Sequence, residues 1–411
     1  MTEPREPLPA WQGWAITLTA TATMATSYLD RQVLAALAPS VQEDLGIDDA
    51  AYGDLQSAFS FAYLAATPFA GRWLDRVGIR GGLLGAVLAW TMVSAGHALA
   101  PGFGALFALR LALGVTESPS FPGSAAAIAC SLPPQARARG MGLLFTGSSI
   151  GAMIAPPLAI ALAAHSGSWR LPFAGVALAG LLWVPLWLLV TSPRGVRAAL
   201  AARAEDAPRA SILQTVRHPA VRRAAALVLA LSPMFAFVLL WSAKVLHDVL
   251  GLPQEEAGRV LWLPPLLFDL GAVSLGWLAS RHARIHGAGR TPLLLVLAAL
   301  GMALGIALVP WCRSSVAFVA VGGIAMAGGA GLFAILTADM VSRVGPAVAA
   351  SAAGITAASQ SLAYVVANPL IGRGVAQPGG YAVVTTAIAL WMLPGALYWI
   401  ATRDAPLEAP R

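Results

Sequence analysis

The sequence predicts an all-α membrane protein of twelve transmembrane helices arranged as two six-helix halves. Composition gives the first reason. Of 411 residues, 58% are hydrophobic and 11% are charged, whereas a soluble domain carries about 25% charged residues. The second reason is that the apolar residues gather into runs long enough to cross a bilayer, which takes about 20 residues of helix. The third is a polar break at 192–223 holding seven arginines, three prolines and two acids. It separates six runs from six, giving an N-terminal bundle at 1–191, a cytoplasmic linker at 192–223 and a C-terminal bundle at 224–411.

The expected spans are 14–40, 52–69, 82–100, 104–130, 140–164 and 169–191 in the first half. In the second they are 224–249, 257–279, 291–311, 316–340, 347–370 and 381–401. Span 1 carries adjacent charges, Asp30 and Arg31. Each costs about 2.5–3.5 kcal/mol near mid-bilayer on insertion scales, so charges kept there usually face a cavity and handle an ion or a charged solute. Arg110 and Glu117 repeat the pattern in span 4. In span 5, Gly147, Ser148, Ser149 and Gly151 have the small-residue spacing that lets helices pack closely. Lys244, the chain's one lysine, lies in span 7. In span 8, Asp269 follows Pro264 and Pro265, where a kink is expected. Span 11 brings Ser359, Gln360 and Asn368 into an apolar run.

Arginine placement orients the chain. Nineteen arginines lie in the tails and in the loops after even-numbered spans. Four lie on the opposite side: Arg170, Arg259, Arg313 and Arg373. Basic loops stay cytoplasmic, so both termini are expected there, in a bacterial-type inner membrane. Residues 1–10 read as a proline-rich cytoplasmic tail, because the following apolar run is too long for a signal-peptide core. The net charge of +7 is thus a topology signal, and no nucleic-acid partner is expected. Cys130 and Cys312 fall in opposite halves, with no disulfide, metal site or redox role expected.

The halves echo one another. After span 2 the chain reads Gly71-Arg-Trp-Leu-Asp-Arg76, and after span 8 Gly276-Trp-Leu-Ala-Ser-Arg281. Paired six-helix halves are a transporter plan of the major facilitator superfamily, and Gly71 to Arg80 resembles that superfamily's signature loop. The resemblance implies that Gly71 permits close helix approach and that Asp75, Arg76 and Arg80 help latch a cytoplasmic gate. Four stretches further resemble its anion:cation symporter branch, within it the hexuronate and aldonate transporters. They are Ser27-Tyr-Leu-Asp-Arg31 leading to Pro39, Tyr52-Gly-Asp-Leu-Gln-Ser-Ala-Phe59 leading to Tyr63, Arg110 to Pro122, and Trp262 to Gly271. That resemblance implies that Arg31 contacts a substrate carboxylate, that Asp30 and Glu117 take part in proton coupling, and that Tyr28 and Tyr63 contact substrate. The chain departs from the pattern at Ser27, where relatives often have asparagine. It departs again at Trp241-Ser-Ala-Lys244-Val, where they often read Trp-x-Pro-Lys-Tyr. Both departures bear on the substrate.

The residues themselves support that chemistry while leaving alternatives open. Tyr28 and Arg31 are three apart and share a helical face, and a guanidinium grips a carboxylate through two parallel hydrogen bonds. Arg31 can equally serve to neutralise Asp30. Arg110 and Glu117 are seven apart, about 10.5 Å along one face, as a fixed ion pair or as partners that engage in turn. Lys244 can hold a second anionic group or snorkel outward. Asp269 can brace a kink or meet solute. Ser148, Gln360 and Asn368 are candidate solute contacts. Trp262, Phe268 and Trp391 suit core or interface roles.

The expected function is proton-coupled import of an organic anion, a hexuronate or aldonate, by alternating access. Uptake of another small carboxylate, or efflux of a drug-like anion, fits the same charges. An enzyme is not expected, since no metal-ligand helix motif is present and His282 and His286 belong to an arginine-rich loop. Scattered rather than ring-like charges argue against a channel. No cofactor is expected beyond a proton as coupling ion, and the partners are a small organic anion and the bilayer around a monomer.

Overall fold

A computed structural model describes residues 8–201, 212–286, 292–344 and 346–402, and among them every regular element is helical. The tail before residue 8, the middle of the linker and Arg290 lie outside the described residues. Contacts divide the chain into two units. Unit 1 is Met1–Leu45 with Phe61–Glu205, and unit 2 is Gly46–Ser60 with Asp206–Arg411.

Unit 1 is organised by the helix Ala10–Ala36. Its sequence is rich in threonine, a poor helix former, yet Thr17, Thr19, Thr21, Thr23 and Thr26 each donate their hydroxyl to the carbonyl four residues earlier. Satisfied in this way, the hydroxyls can be buried without loss. The helix packs most extensively on Pro134–Ser166. A Cβ added at Gly147 or Gly151 would run into the carbonyl oxygens of Thr21 and Ala25, so the small residues of span 5 do bring two backbones together. The ends of the unit are tied by polar contacts. Asp44 accepts from Trp169 Nε1 at 2.9 Å and from Arg170 at 2.8 Å, and these bonds hold its carboxyl below the usual range. The short helix Arg194–Ala201 at the start of the linker buries Val196 and Leu200.

Unit 2 pairs Leu263–His286 with Ser315–Val344 most extensively. Pro219–Leu240 packs beside Ser315–Val344, Pro346–Val375 and Gly380–Ala401. A buried ion network pins one end: Asp339 accepts from Arg223 at 3.0 Å and from Arg343 at 2.8 Å, while the Arg223 guanidinium lies 5.5 Å from the Trp399 ring centroid.

Among the described residues, eight stretches are long and apolar enough to cross a membrane, corresponding to expected spans 3, 5–10 and 12. Expected spans 1, 2, 4 and 11 are helical but more polar or shorter. Span 4 is two helices, Phe103–Glu117 and Ser120–Ser131. They part at Ser118 and Pro119, because Pro119 has no N–H to continue the ladder. Span 7 likewise breaks at Trp241, between Pro219–Leu240 and Ser242–Asp248. Span 8 is interrupted at 259–262, just before Pro264 and Pro265, between the helix Gln254–Gly258 and the helix Leu263–His286. The helix starts at Leu263, so both prolines sit in its first turn, where a missing N–H removes no bond.

Two substitutions on one helix test the packing of unit 1. Gly151→Val forces a side chain into the Ala25 backbone and should lower stability by at least about 2 kcal/mol. Gly142→Ala meets nothing within 4 Å and should stay within about 0.5 kcal/mol. Thermal unfolding of the two purified variants makes the comparison, and equal midpoints would refute the packing assignment.

Candidate functional site

Four buried charges gather in unit 1. The helix Ala10–Ala36 supplies Asp30 and Arg31, and Phe103–Glu117 supplies Arg110 and Glu117. Glu117 ends its helix because of the Pro119 break, which leaves its carboxylate at the point where the two half-spans meet. Arg31 Nε donates to Glu117 Oε2 at 2.8 Å and Ser27 Oγ donates to the same oxygen at 2.7 Å. The other oxygen, Oε1, is buried with no hydrogen-bond partner among the described residues. Asp30 accepts a hydrogen bond from Ser94 of Ile79–His97. Arg110 lies close enough for its charge to act on both Asp30 and Glu117.

The pairing differs from the alternatives that spacing left open. Arg31 bonds to Glu117 across two helices rather than to adjacent Asp30, because neighbouring residues on a helix point about 100° apart. Glu117 takes its arginine from the first helix rather than from Arg110, two turns away.

Burial separates the four. Glu117, Arg110 and Asp30 are 0%, 1% and 2% exposed, whereas the Arg31 side chain is 16% exposed. Arg31 is therefore the most exposed of the four. Its guanidinium lies 4.8 Å from the Tyr28 ring centroid and 4.7 Å from that of Tyr63. Cation–π contacts of this kind help hold a guanidinium in place. Two acids and two arginines make the cluster formally neutral.

The other expected positions fall elsewhere. Ser148 is half-buried on Pro134–Ser166. Gly71 does not mediate close packing in unit 1, since a Cβ there would meet nothing within 4 Å. Asp75 and Arg76 are exposed, and Arg80 donates to Thr191 Oγ1 at 2.9 Å. In unit 2, Gln360, Ser359 and Asp269 are half-buried. Asn368 is fully buried, accepting from Trp241 Nε1 at 3.2 Å and donating to Tyr364 O at 3.0 Å. Lys244 is paired with two acids. Its ammonium sits 2.8 Å from Asp49 and 3.0 Å from Asp248.

Sequence reading missed Ser94, which carries no signal beyond a serine in an apolar run. It also missed Asp339, whose place inside expected span 10 was a usable signal, and Asp49, Asp248 and Tyr381, which only the fold brings together.

Comparison with known proteins agrees with this architecture. The chain is 26% identical over 416 residues to the hexuronate transporter of Escherichia coli (strain K12), covering 96% of this chain and 94% of that one. It is 31% identical over 268 residues to the galacturonate transporter of Dickeya chrysanthemi, covering 61% of this chain and 76% of that protein. Its fold matches a crystal structure of a bacterial homolog of the human lysosomal transporter Spinster with a TM-score of 0.81. That match covers 99% of this chain and 100% of the other at 17% identity. The family model described as Major Facilitator Superfamily matches residues 20–368, and the chain belongs to that superfamily.

Proposed function

We propose that this chain is a proton-coupled importer of a sugar acid, a hexuronate or aldonate, working by alternating access. The observation that carries the reading is the neutral cluster of Asp30, Arg31, Arg110 and Glu117, in which only Arg31 has appreciable exposure. The full-length likeness to a hexuronate transporter supports the substrate class, as does the D-galactonate transporter of Escherichia coli O6:H1, 25% identical with 92% of each chain covered.

The mechanism follows from charge balance. A sugar-acid carboxylate binds the Arg31 guanidinium edge-on, with the Tyr28 and Tyr63 rings fixing the arginine and offering apolar faces and hydroxyls to the sugar. This brings one negative charge to a cluster that was neutral. An uncompensated charge away from water costs several kcal/mol even after relaxation. Arg31, now shared, holds Glu117 less strongly, and a carboxyl that loses positive charge nearby gains affinity for a proton. Glu117 Oε1, buried and without a hydrogen-bond partner among the described residues, is an oxygen on which a proton can settle. Asp30, bonded to Ser94 and within reach of the Arg110 field, is the second acceptor. One proton on either acid restores neutrality, so proton and substrate favour each other's binding reciprocally. Asp75, Arg76 and Arg80 are assigned to gating at the face read as cytoplasmic. Ser148, Gln360 and Asn368 are assigned to solute contact when the protein changes state.

Two tests follow. Arg31→Lys keeps the charge and loses the planar fork. Binding of galacturonate or galactonate to purified protein should weaken about 10- to 100-fold, the worth of a charge-assisted hydrogen bond, with folding retained. Affinity like that of the unaltered protein would remove Arg31 from the site. Glu117→Gln fixes a neutral side chain at that position. In proteoliposomes it should abolish accumulation driven by an inward proton gradient while counterflow exchange at equal pH stays within about threefold. Continued gradient-driven accumulation would leave Asp30 as the coupling acid.

A further inference from the structure

One more polar side chain of unit 1 is sealed from water near the cluster. His97 closes the helix Ile79–His97 and is 0% exposed. Its Nδ1 lies 2.8 Å from Val93 O. A carbonyl oxygen only accepts, so Nδ1 carries a proton, and in the neutral ring Nε2 is a bare acceptor. That Nε2 is buried with no hydrogen-bond partner among the described residues, a costly arrangement that calls for a reason. The ring is not free to turn away. It stacks on Phe173 with centroids 5.1 Å apart and planes 14° apart, and Phe173 meets Trp169 edge-on at 5.9 Å.

The charges around the ring single out one donor. His97 lies three residues beyond Ser94, on the same helical face, and Ser94 donates to Asp30. The Arg110 charge acts on His97 as it does on Asp30. The other charges on the packed helices are engaged or distant. Glu117 is bonded to Arg31 and Ser27. Arg170 pairs with Asp44 and reaches Ala100 O. Ser120–Ser131 carries no charged side chain. Arg194 and Arg197 belong to the far end of the His97 helix, where Arg80 donates to Thr191.

We propose that His97 is a positioning residue for Arg110: when Asp30 takes up a proton, His97 Nε2 accepts a hydrogen bond from the Arg110 guanidinium. The proposal rests on the proton-coupled reading of the cluster. Ionised Asp30 compensates Arg110 with a full charge. Protonated Asp30 does not, and a guanidinium held away from water then needs another polar partner. A neutral imidazole supplies a lone pair without altering the charge count. The site stays balanced with one proton and one substrate carboxylate aboard. A proton on His97 itself would instead set two cations side by side. The stacked ring holds its lone pair in a fixed direction, so the acceptor is in place before the exchange. Removing it makes protonation of Asp30 harder, and sugar-acid binding linked to that proton then requires more acid.

Two variants and one spectrum test this. Galacturonate affinity of the parent should fall as pH rises through the range in which the cluster loses its proton. His97→Leu should move that midpoint down by about one pH unit, with affinity at the acid limit within about threefold of the parent. His97→Gln keeps an acceptor, the amide oxygen, and should leave the midpoint within about 0.3 unit. A His97→Leu midpoint equal to the parent's, or one matched by His97→Gln, overturns the proposal in favour of a packing role. The spectrum needs no substrate. In nitrogen NMR of histidine-labelled protein, the resonances missing from His97→Gln belong to His97. At neutral pH they should report a neutral ring protonated on Nδ1. Asp30→Asn, which fixes a neutral side chain, should move Nε2 to the position of a hydrogen-bonded acceptor, and acidifying the parent should produce the same shift. An Nε2 that stays bare under both conditions, or an imidazolium in either protein, overturns the proposal. If the parent's affinity is independent of pH while Nε2 still gains a donor in Asp30→Asn, the coupling reading fails and the exchange of acceptors stands.

Discussion

The site depends on the rule that charge taken out of water must be balanced where it lies. Asp30, Arg31, Arg110 and Glu117 are tolerable in unit 1 because two acids meet two arginines, three of the four at nearly zero exposure. Removing one partner of a buried pair typically costs 3–5 kcal/mol, through the charge left behind rather than through the bond lost. In the proposed mechanism the same penalty gives the cluster its use: an arriving carboxylate would upset the balance by one unit, one proton would restore it, and coupling would need no long pathway, only a cluster too dry to carry a net charge.

Unit 2 uses buried charge differently. Arg223, Asp339 and Arg343 lie at 6% exposure or less on their side chains and join helix ends, where a fixed geometry is useful. Lys244 with Asp49 and Asp248 has partners that remain in reach of water. Deep pairs hold because nothing can replace their partners, and half-exposed pairs hold only until water does.

Much of this was legible in the sequence. Charges inside apolar runs flagged Asp30, Arg31, Arg110, Glu117 and Lys244, because such residues are retained in lipid only at a cost. The loop Gly71 to Arg80 and the tyrosines Tyr28 and Tyr63 pointed to the family that the match over residues 20–368 establishes. Pairing was not legible. Helical spacing says which residues of one helix share a face, and the pairs that matter here join different helices: Arg31 to Glu117, Asp30 to Ser94, Lys244 to Asp49. At Pro264 and Pro265 the disruption lies just before the prolines, at 259–262, because a proline pair starts a helix without cost. Local chemistry was overlooked at Pro119, where a single proline divides span 4 and sets Glu117 at a helix end. Ser27 read as a departure from relatives, and in the structure it donates to Glu117.

The central claim is that a bound carboxylate draws a proton into the cluster. Titration calorimetry of a hexuronate into purified protein near pH 7.5, repeated in buffers of different ionisation enthalpy, measures the protons exchanged on binding. The account predicts net uptake approaching about one proton per sugar acid bound. A binding heat independent of the buffer, with no proton taken up across neutral pH, would contradict it.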